Sequence, residues 1–523
     1  MRMPWKYFGT ALLLLGSMGL TAQFEGVDTV FRADGLTYFS PLEKKAIADF
    51  LNGHPDYLAM IAAINPGTSE RELGLYREWI NETIEEVRGS RFEKLSNENK
   101  IGRIQKYISR SLLLNYRSDA NFDNLFRDGS YNYFTAASLY AFILDQLGIP
   151  YEIRENPSYI YLVAYPAAEK INIETTEPGF RFFMLDYNTR ENFIDFIHGQ
   201  GIIDDRTYDS GNRKDLFQRY YFADYGLSIR DMIGMLYLNS AVDLLEKQRK
   251  DDAYAQLEKA FLLYPCYRTQ FMLLVNLNSY LLNLDSRNLG QLGYLIKASR
   301  LIHYGVDRRL LQEKLNGIVD RVLVREEDPK GFKYIYDYLM DYLEDEELRK
   351  NFTFRYLYQR GRMEFLDARY EKALEYLEAA YLLHPEDEAT QDILARSFGG
   401  YALTNSPRLV LDKIRHYDSV FTGITDEGVY LLVKMQTYLS LFGEAFQLQD
   451  RKTGEKYRLL FEKLMDENPD AGVDRYLIGR SYSSAAIYYY RIGQVSKSEQ
   501  LVRKGLQYAP DNIDLKLKLG TFR

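Results

Sequence analysis

Three segments far apart in this chain place two small residues, an apolar residue and a proline at the same offsets. Ala253, Leu257, Ala260 and Pro265 form the first set, Ala373, Leu377, Ala380 and Pro385 the second, and Ser498, Val502, Gly505 and Pro510 the third. Offsets of four and seven put the first three members on one helical face. Small side chains there let a second helix approach closely, and proline stops the helix. Gly361 supplies the small site on the partner helix of the second set, and Ala486 with Tyr489 does so for the third. From Leu227 onward the chain is therefore expected to be built from helix pairs, each burying its apolar face against its neighbours.

This spacing is similar to that of tetratricopeptide repeats, in which the second helix carries the same small residues and closing proline. The intervals are irregular. Pro265 to Pro385 is 120 residues and Pro385 to Pro510 is 125, and neither is a multiple of about 34. Degenerate pairs are expected between them, over Thr269 to Ile302 and Tyr430 to Pro469. The resemblance implies a curved α-solenoid that binds a peptide or protein partner.

Before the repeats, the stretch from Tyr131 to Gly179 changes pattern twice. Ala136, Leu139, Tyr140, Ile143 and Leu147 make one apolar helical stripe over Tyr133 to Leu147. Gly148 ends the helix and Pro150 blocks its continuation. The runs YEIRE, YIYLVAY and INIETT follow, rich in aromatic and β-branched residues and separated by proline-containing turns, as in a small antiparallel sheet.

This helix and sheet resemble the core of the transglutaminase-like (papain-like) superfamily, most of all its bacterial branch in which the domain precedes tetratricopeptide repeats. The resemblance covers roughly residues 100 to 230. It rests on Leu147-Gly148-Ile149-Pro150, on Pro157-Ser158-Tyr159 before the strand Ile160 to Val163, and on Ile173-Glu174-Thr175-Thr176. The family's nucleophilic Cys falls on Tyr133, its His on Tyr159 and its acidic residue on Glu174. A Cys at a helix N-terminus is activated by the dipole and a neighbouring imidazolium. Tyr, with an ordinary pKa of about 10, is a poor nucleophile near neutrality and cannot cycle a proton there as imidazole does. The resemblance thus implies a degenerate site, its tyrosines filling the old cleft and bonding to Glu174. The alternative is an atypical acyltransferase or peptidase using Tyr133, Tyr159 and Glu174.

No other chemistry is spelled out. The five histidines (His54, His198, His303, His384, His416) are isolated from one another, and none joins Cys266, so no zinc pattern appears and no cofactor is expected. His198, in a Gly-x-Gly turn, is the histidine nearest the core, and a relocated base there is weighed against a polar turn residue. Cys266 is read as a packing residue at a helix-pair junction. The acidic run from Asp341 to Glu347 lacks the glycine turn of an EF-hand. A net charge of -8 without a basic block argues against nucleic acid as partner. The 45 tyrosines suit either a binding surface or half-buried repeat positions.

At the N-terminus Arg2 and Lys6 precede a short apolar run, Gly9 to Leu20, and Thr21-Ala22 offers a cleavage site. The run is short for a membrane span. An exported protein, periplasmic or secreted, is expected, with no integral membrane segment after cleavage. The expected organisation is a signal peptide at 1–22, a helical region at 23–99, a degenerate transglutaminase-like domain at 100–226 and helical repeats at 227–523. Ser40-Pro41-Leu42-Glu43 and Ser69-x-x-Glu72 mark helix starts. Ser118 to Tyr131 is polar and expected to be a loop. The fold class is mostly α with a small α+β domain, and the function expected is that of a non-catalytic scaffold.

Overall fold

A computed structural model of the chain describes residues 24, 26–89, 91–155, 159–175, 187–222, 226–425 and 428–522. The apolar leader, Pro157, Ser158 and Thr176 lie outside the described residues. The structure is mostly helical, 72%, with a small sheet. It divides into two compact units, one of residues 1–311 with Tyr342–Glu344 and one of Gln312–Asp341 with 345–523. The division falls at Leu311, although the helix pairs already begin at Ile229.

After a single helical turn, Val27–Val30, the first unit continues with helices α1 (Pro41–Leu51), α2 (Tyr57–Ala62), α3 (Glu70–Arg88) and α4 (Asn97–Ser111). Local capping chemistry sets where two of them start. Ser40 Oγ accepts the Glu43 amide at 3.1 Å with Pro41 in the first turn of α1. Ser69 and Glu72 form a reciprocal capping box at the start of α3. A two-residue parallel ladder joins β1 (Asn115–Tyr116) to β2 (Ser130–Tyr131). The segment between is not a plain loop. Its Asp123 is fully buried, accepts the Thr68 hydroxyl at 2.8 Å and also accepts Asn65 Nδ2.

Helix α5 (Tyr133–Gln146) follows and is buried over most of its surface. Gly148, in the left-handed region at φ 66°, turns the chain into β3 (Tyr151–Glu155). An antiparallel sheet of order β3-β4-β5 is completed by β4 (Ile160–Ala164) and β5 (Ile171–Ile173). Its register lines up Ile153, Leu162 and Ile173, all fully buried, in one row across the strands. Because side chains alternate along a strand, Glu155 shares that buried face, whereas Tyr161 and Glu174 belong to the other.

The unit continues with α6 (Tyr187–Gly199), α7 (Arg213–Tyr221), the hairpin of α8 (Ile229–Glu246) and α9 (Lys250–Leu263), then α10 (Tyr267–Leu282) and α11 (Leu289–Arg300). His198 belongs to the last turn of α6 rather than to the turn after it, with Nε2 2.8 Å from Asp205 Oδ1 and its ring stacked on Tyr208. The second unit holds α12 (Glu346–Leu366), α13 (Tyr370–Leu383), α14 (Glu388–Thr404), α15 (Pro407–Val420), α16 (Gly428–Gln447), α17 (Arg451–Glu467), α18 (Arg475–Arg491), α19 (Val495–Tyr508) and α20 (Ile513–Gly520).

Four hairpins repeat one backbone design: α8–α9, α12–α13, α16–α17 and α18–α19. At each joint one residue is left-handed: Gln248 at φ 60°, Ala368 at 56°, Gln449 at 62° and Gly493 at 79°. The amide of the following residue reaches back to the carbonyl five residues earlier, at 2.9 Å in all four: Arg249 to Leu244, Arg369 to Glu364, Asp450 to Ala445 and Gln494 to Tyr489. This is a Schellman closure, which satisfies carbonyls left open at the helix end. Each second helix stops at a residue that has left the helical region (Tyr264, His384, Asn468, Ala509), placed just before Pro265, Pro385, Pro469 or Pro510.

Close approach within a hairpin depends on glycine at Gly234 in α8. A Cβ there would lie 2.6 Å from the Tyr264 amide nitrogen and 3.1 Å from the Ala260 carbonyl oxygen. Backbone cannot swing aside as a flexible side chain can. Gly234→Ala gains up to about 1 kcal/mol of helix propensity but overpacks the joint by roughly 1–3 kcal/mol. We expect a net loss of stability, read as a lower urea midpoint at unchanged m.

Part of the tyrosine excess lies in the core. Tyr237, Tyr254, Tyr264, Tyr417, Tyr430, Tyr482 and Tyr489 rank among the largest fully buried side chains. In the second unit their hydroxyls donate to carboxylates on other helices: Tyr430 to Asp418 at 2.7 Å, Tyr482 to Glu462 at 2.8 Å, Tyr489 to Glu455 at 2.7 Å, and Tyr417 to Glu378. Burial, with the Glu455 bond second, pushes the Tyr489 hydroxyl up to about 12. Tyr here fills the core with its ring and satisfies a half-buried acid with its tip. Among the described residues no helix is long and apolar enough to cross a membrane.

Candidate functional site

Tyr133 is the first residue of α5, and the preceding Asn132 caps the helix. Asn132 Oδ1 accepts the Thr135 amide at 3.0 Å, Thr135 Oγ1 accepts the Asn132 amide at 2.9 Å, and Asn132 Nδ2 donates to the Ala120 carbonyl at 2.8 Å. The helix start is thus closed by its own side chains. The Tyr133 ring tilts against Phe134 at 4.6 Å. Burial pushes the Tyr133 hydroxyl above the usual tyrosine range, the Glu155 carboxylate adds to the rise, and the Arg268 guanidinium opposes it. A phenol raised in this way is further from being a nucleophile at neutral pH.

Glu155 and Arg268 form a buried ion pair, each side chain 6% exposed. Arg268 Nη1 donates to Oε1 at 2.8 Å and Nη2 to Oε2 at 3.4 Å, a fork-to-fork pair. The guanidinium also stacks near the rings of Tyr221, at 5.1 Å, and Tyr264, at 5.5 Å. Cys266 caps α10 two residues before Arg268, half-buried, with Sγ 3.6 Å from Thr269 Oγ1.

Tyr159 and Glu174, the other two positions the resemblance marks, flank β4 and β5. Tyr159 sits beside Tyr161, ring centroids 5.8 Å apart, and Glu174 is exposed just past β5. The strand register sends Glu174 to the face opposite the buried row, so the acid that acts on Tyr133 is Glu155. Nothing in the sequence marked Glu155 or Arg268, which stand 113 residues apart. Among the described residues no group of three or more His, Cys, Asp and Glu is arranged to hold a metal ion.

A second feature lies in the second unit. Helices α15 and α17 both pack on α16 and leave a groove of about 390 Å3 between them. Leu411, Leu441, Ala445 and Tyr457 supply its apolar lining, and Leu448 stands on the rim, 69% exposed. The walls differ in charge. Helix α15 contributes Arg408 and Arg415, the latter 3.1 Å from Asp412. Glu444 of α16 and Asp450 at the start of α17 contribute carboxylates. Asp450 is held below the usual carboxylate range by hydrogen bonds to Thr453, whose amide it accepts at 3.1 Å. Arg408 and Glu444 form no ion pair among the described residues. Comparison with known protein families gives no match for the chain, and comparison with curated proteins gives none either.

Proposed function

We propose that this chain is an exported, non-catalytic scaffold. In this reading a degenerate transglutaminase-like core precedes tetratricopeptide-like helix pairs that form a solenoid and bind a protein or peptide partner. The observation that carries the reading is the groove on α16, where largely buried apolar side chains lie between charged ones, with Arg408 and Glu444 left free to pair with a guest. A cleft of this size lies in the range of about 300–1,000 Å3 typical of ligand sites. The family-triad positions support the non-catalytic half: Tyr133 faces a buried ion pair, and Glu174 lies on the other side of the sheet.

The test is affinity capture from the cell envelope with the chain from residue 23 onward, beside a Tyr133→Phe/Tyr159→Phe variant. A captured protein is then purified and titrated calorimetrically against both baits. Equal affinities and a defined stoichiometry are expected. The reading is overturned if no purified protein binds either bait, or if a processed product forms only with the unmodified tyrosines.

A further inference from the structure

We infer that the groove on α16 takes an amphipathic helical segment of a partner protein, aliphatic on its buried face and carrying acids along one flank and bases along the other. The inference rests on the scaffold reading and names the chemistry of its guest. The groove's borders are helix flanks, and the three-stranded sheet lies in the other unit, so among the described residues this unit offers no sheet edge for an added strand. A helix laid between two helices can instead pack ridges into grooves on the third. Its apolar stripe would meet Leu411, Leu441 and Ala445, with Leu448 closing over the rim. One wall presents Arg408 and Arg415, the latter paired with Asp412 of the same helix, and the opposite side presents Glu444 of α16 and Asp450 at the start of α17. A guest with like charges on both flanks would satisfy one wall and be repelled by the other. A guest with opposite charges satisfies both, in one of its two directions along the groove.

The probes are three labelled synthetic peptides of about 15 residues, a length near the lower limit for stable helices. All share a leucine stripe at i, i+3, i+4 and i+7. The first has glutamates on one flank and lysines on the other, the second has lysines on both, and the third is the first with serines for leucines. Fluorescence anisotropy with the full chain should show the first bound roughly fivefold more tightly than the second at low salt, the gap narrowing as salt rises. The third should lose at least tenfold. Arg408→Glu/Arg415→Glu makes both walls acidic at exposed positions and should invert the order of the first two. An unshifted melting curve would show that this variant folds.

Equal binding of the first two peptides to the native chain overturns the inference. So does an order that the double variant leaves unchanged, or no binding at all. The captured envelope partner separates this failure from that of the scaffold reading. If it binds the native chain and the double variant equally and the first peptide does not compete, the groove is dismissed and the scaffold stands.

Discussion

Glu155→Gln should destabilise the protein by roughly 3–5 kcal/mol, the usual cost of removing one partner from a buried ion pair. The Arg268 guanidinium stays charged at any accessible pH, so it cannot escape by losing a proton. Burial by itself disfavours its charge, and Glu155 reverses that and holds the Arg268 pKa above the ordinary arginine range. With the carboxylate gone, the ring faces of Tyr221 and Tyr264 remain. Cation–π contacts of this kind contribute only about 0.5–2 kcal/mol, too little to replace the acid. The double variant Glu155→Leu/Arg268→Met should recover most of the loss and even approach the native value, because it also removes the desolvation cost of both charges. Urea unfolding of the two singles and the double gives the coupling energy directly. A double variant no better than Glu155→Gln would mean that the pair holds β3 to α10 geometrically, beyond its charge.

That pair also shows where the sequence stops being legible. Helix caps are local chemistry, so Ser40, Pro41, Glu43, Ser69 and Glu72 are found where the residues put them. The hairpins of α9, α13 and α19 follow from small residues and a proline at fixed offsets. In α17 the same offsets from Pro469 fall on Tyr457 and Leu464, two large residues, so the pair expected over Tyr430 to Pro469 is degenerate in side chains, although its backbone matches the others. The joints are hidden too. Gln248, Ala368 and Gln449 carry no sign of a left-handed backbone, which the Schellman closure imposes on them. The polar stretch before α5 reads as a loop because the partners that bury Asp123, Asn65 and Thr68, lie more than 50 residues away. Tyr133 opens its helix where the residue count put it. The acid beside it is set by strand register, which places Glu155 on the buried face and turns Glu174 away, and no short motif encodes that. The groove is less legible still, since it is a gap between α15 and α17 rather than a property of either.

Lys259 and Glu43 set the other large effect. Lys259 is fully buried, and its Nζ lies 2.5 Å from Glu43 Oε1 across 216 residues of sequence, tying α9 to α1. Three rings, Phe39 at 4.7 Å, Tyr237 at 5.3 Å and Tyr38 at 5.9 Å, surround the ammonium. Glu43 Oε2 meanwhile accepts the Phe39 amide at 2.6 Å. Burial first and the Glu43 charge second push the Tyr38 hydroxyl up to about 12. Burial outweighs the ion pair for Lys259, whose pKa falls below the ordinary lysine value.

The sign of the pH dependence follows from that direction. Between the folded and the unfolded pKa of Lys259 the unfolded chain binds more protons, so stability rises with pH through that window, up to about 10.4. Glu43→Gln removes the carboxylate charge that holds the proton on Lys259. It should cost roughly 3–5 kcal/mol at neutral pH. It should also widen the window downward, with stability climbing by up to about 1.4 kcal/mol per pH unit inside it. Adding Lys259→Met removes the titrating group and should flatten that slope. Urea midpoints of the native chain, Glu43→Gln and the double variant across pH 6–10 separate the outcomes. A Glu43→Gln profile parallel to that of the double variant would show that Lys259 is not the group responsible. A cost well under 1 kcal/mol at neutral pH would show that the three rings and the local backbone already satisfy the ammonium without its acid.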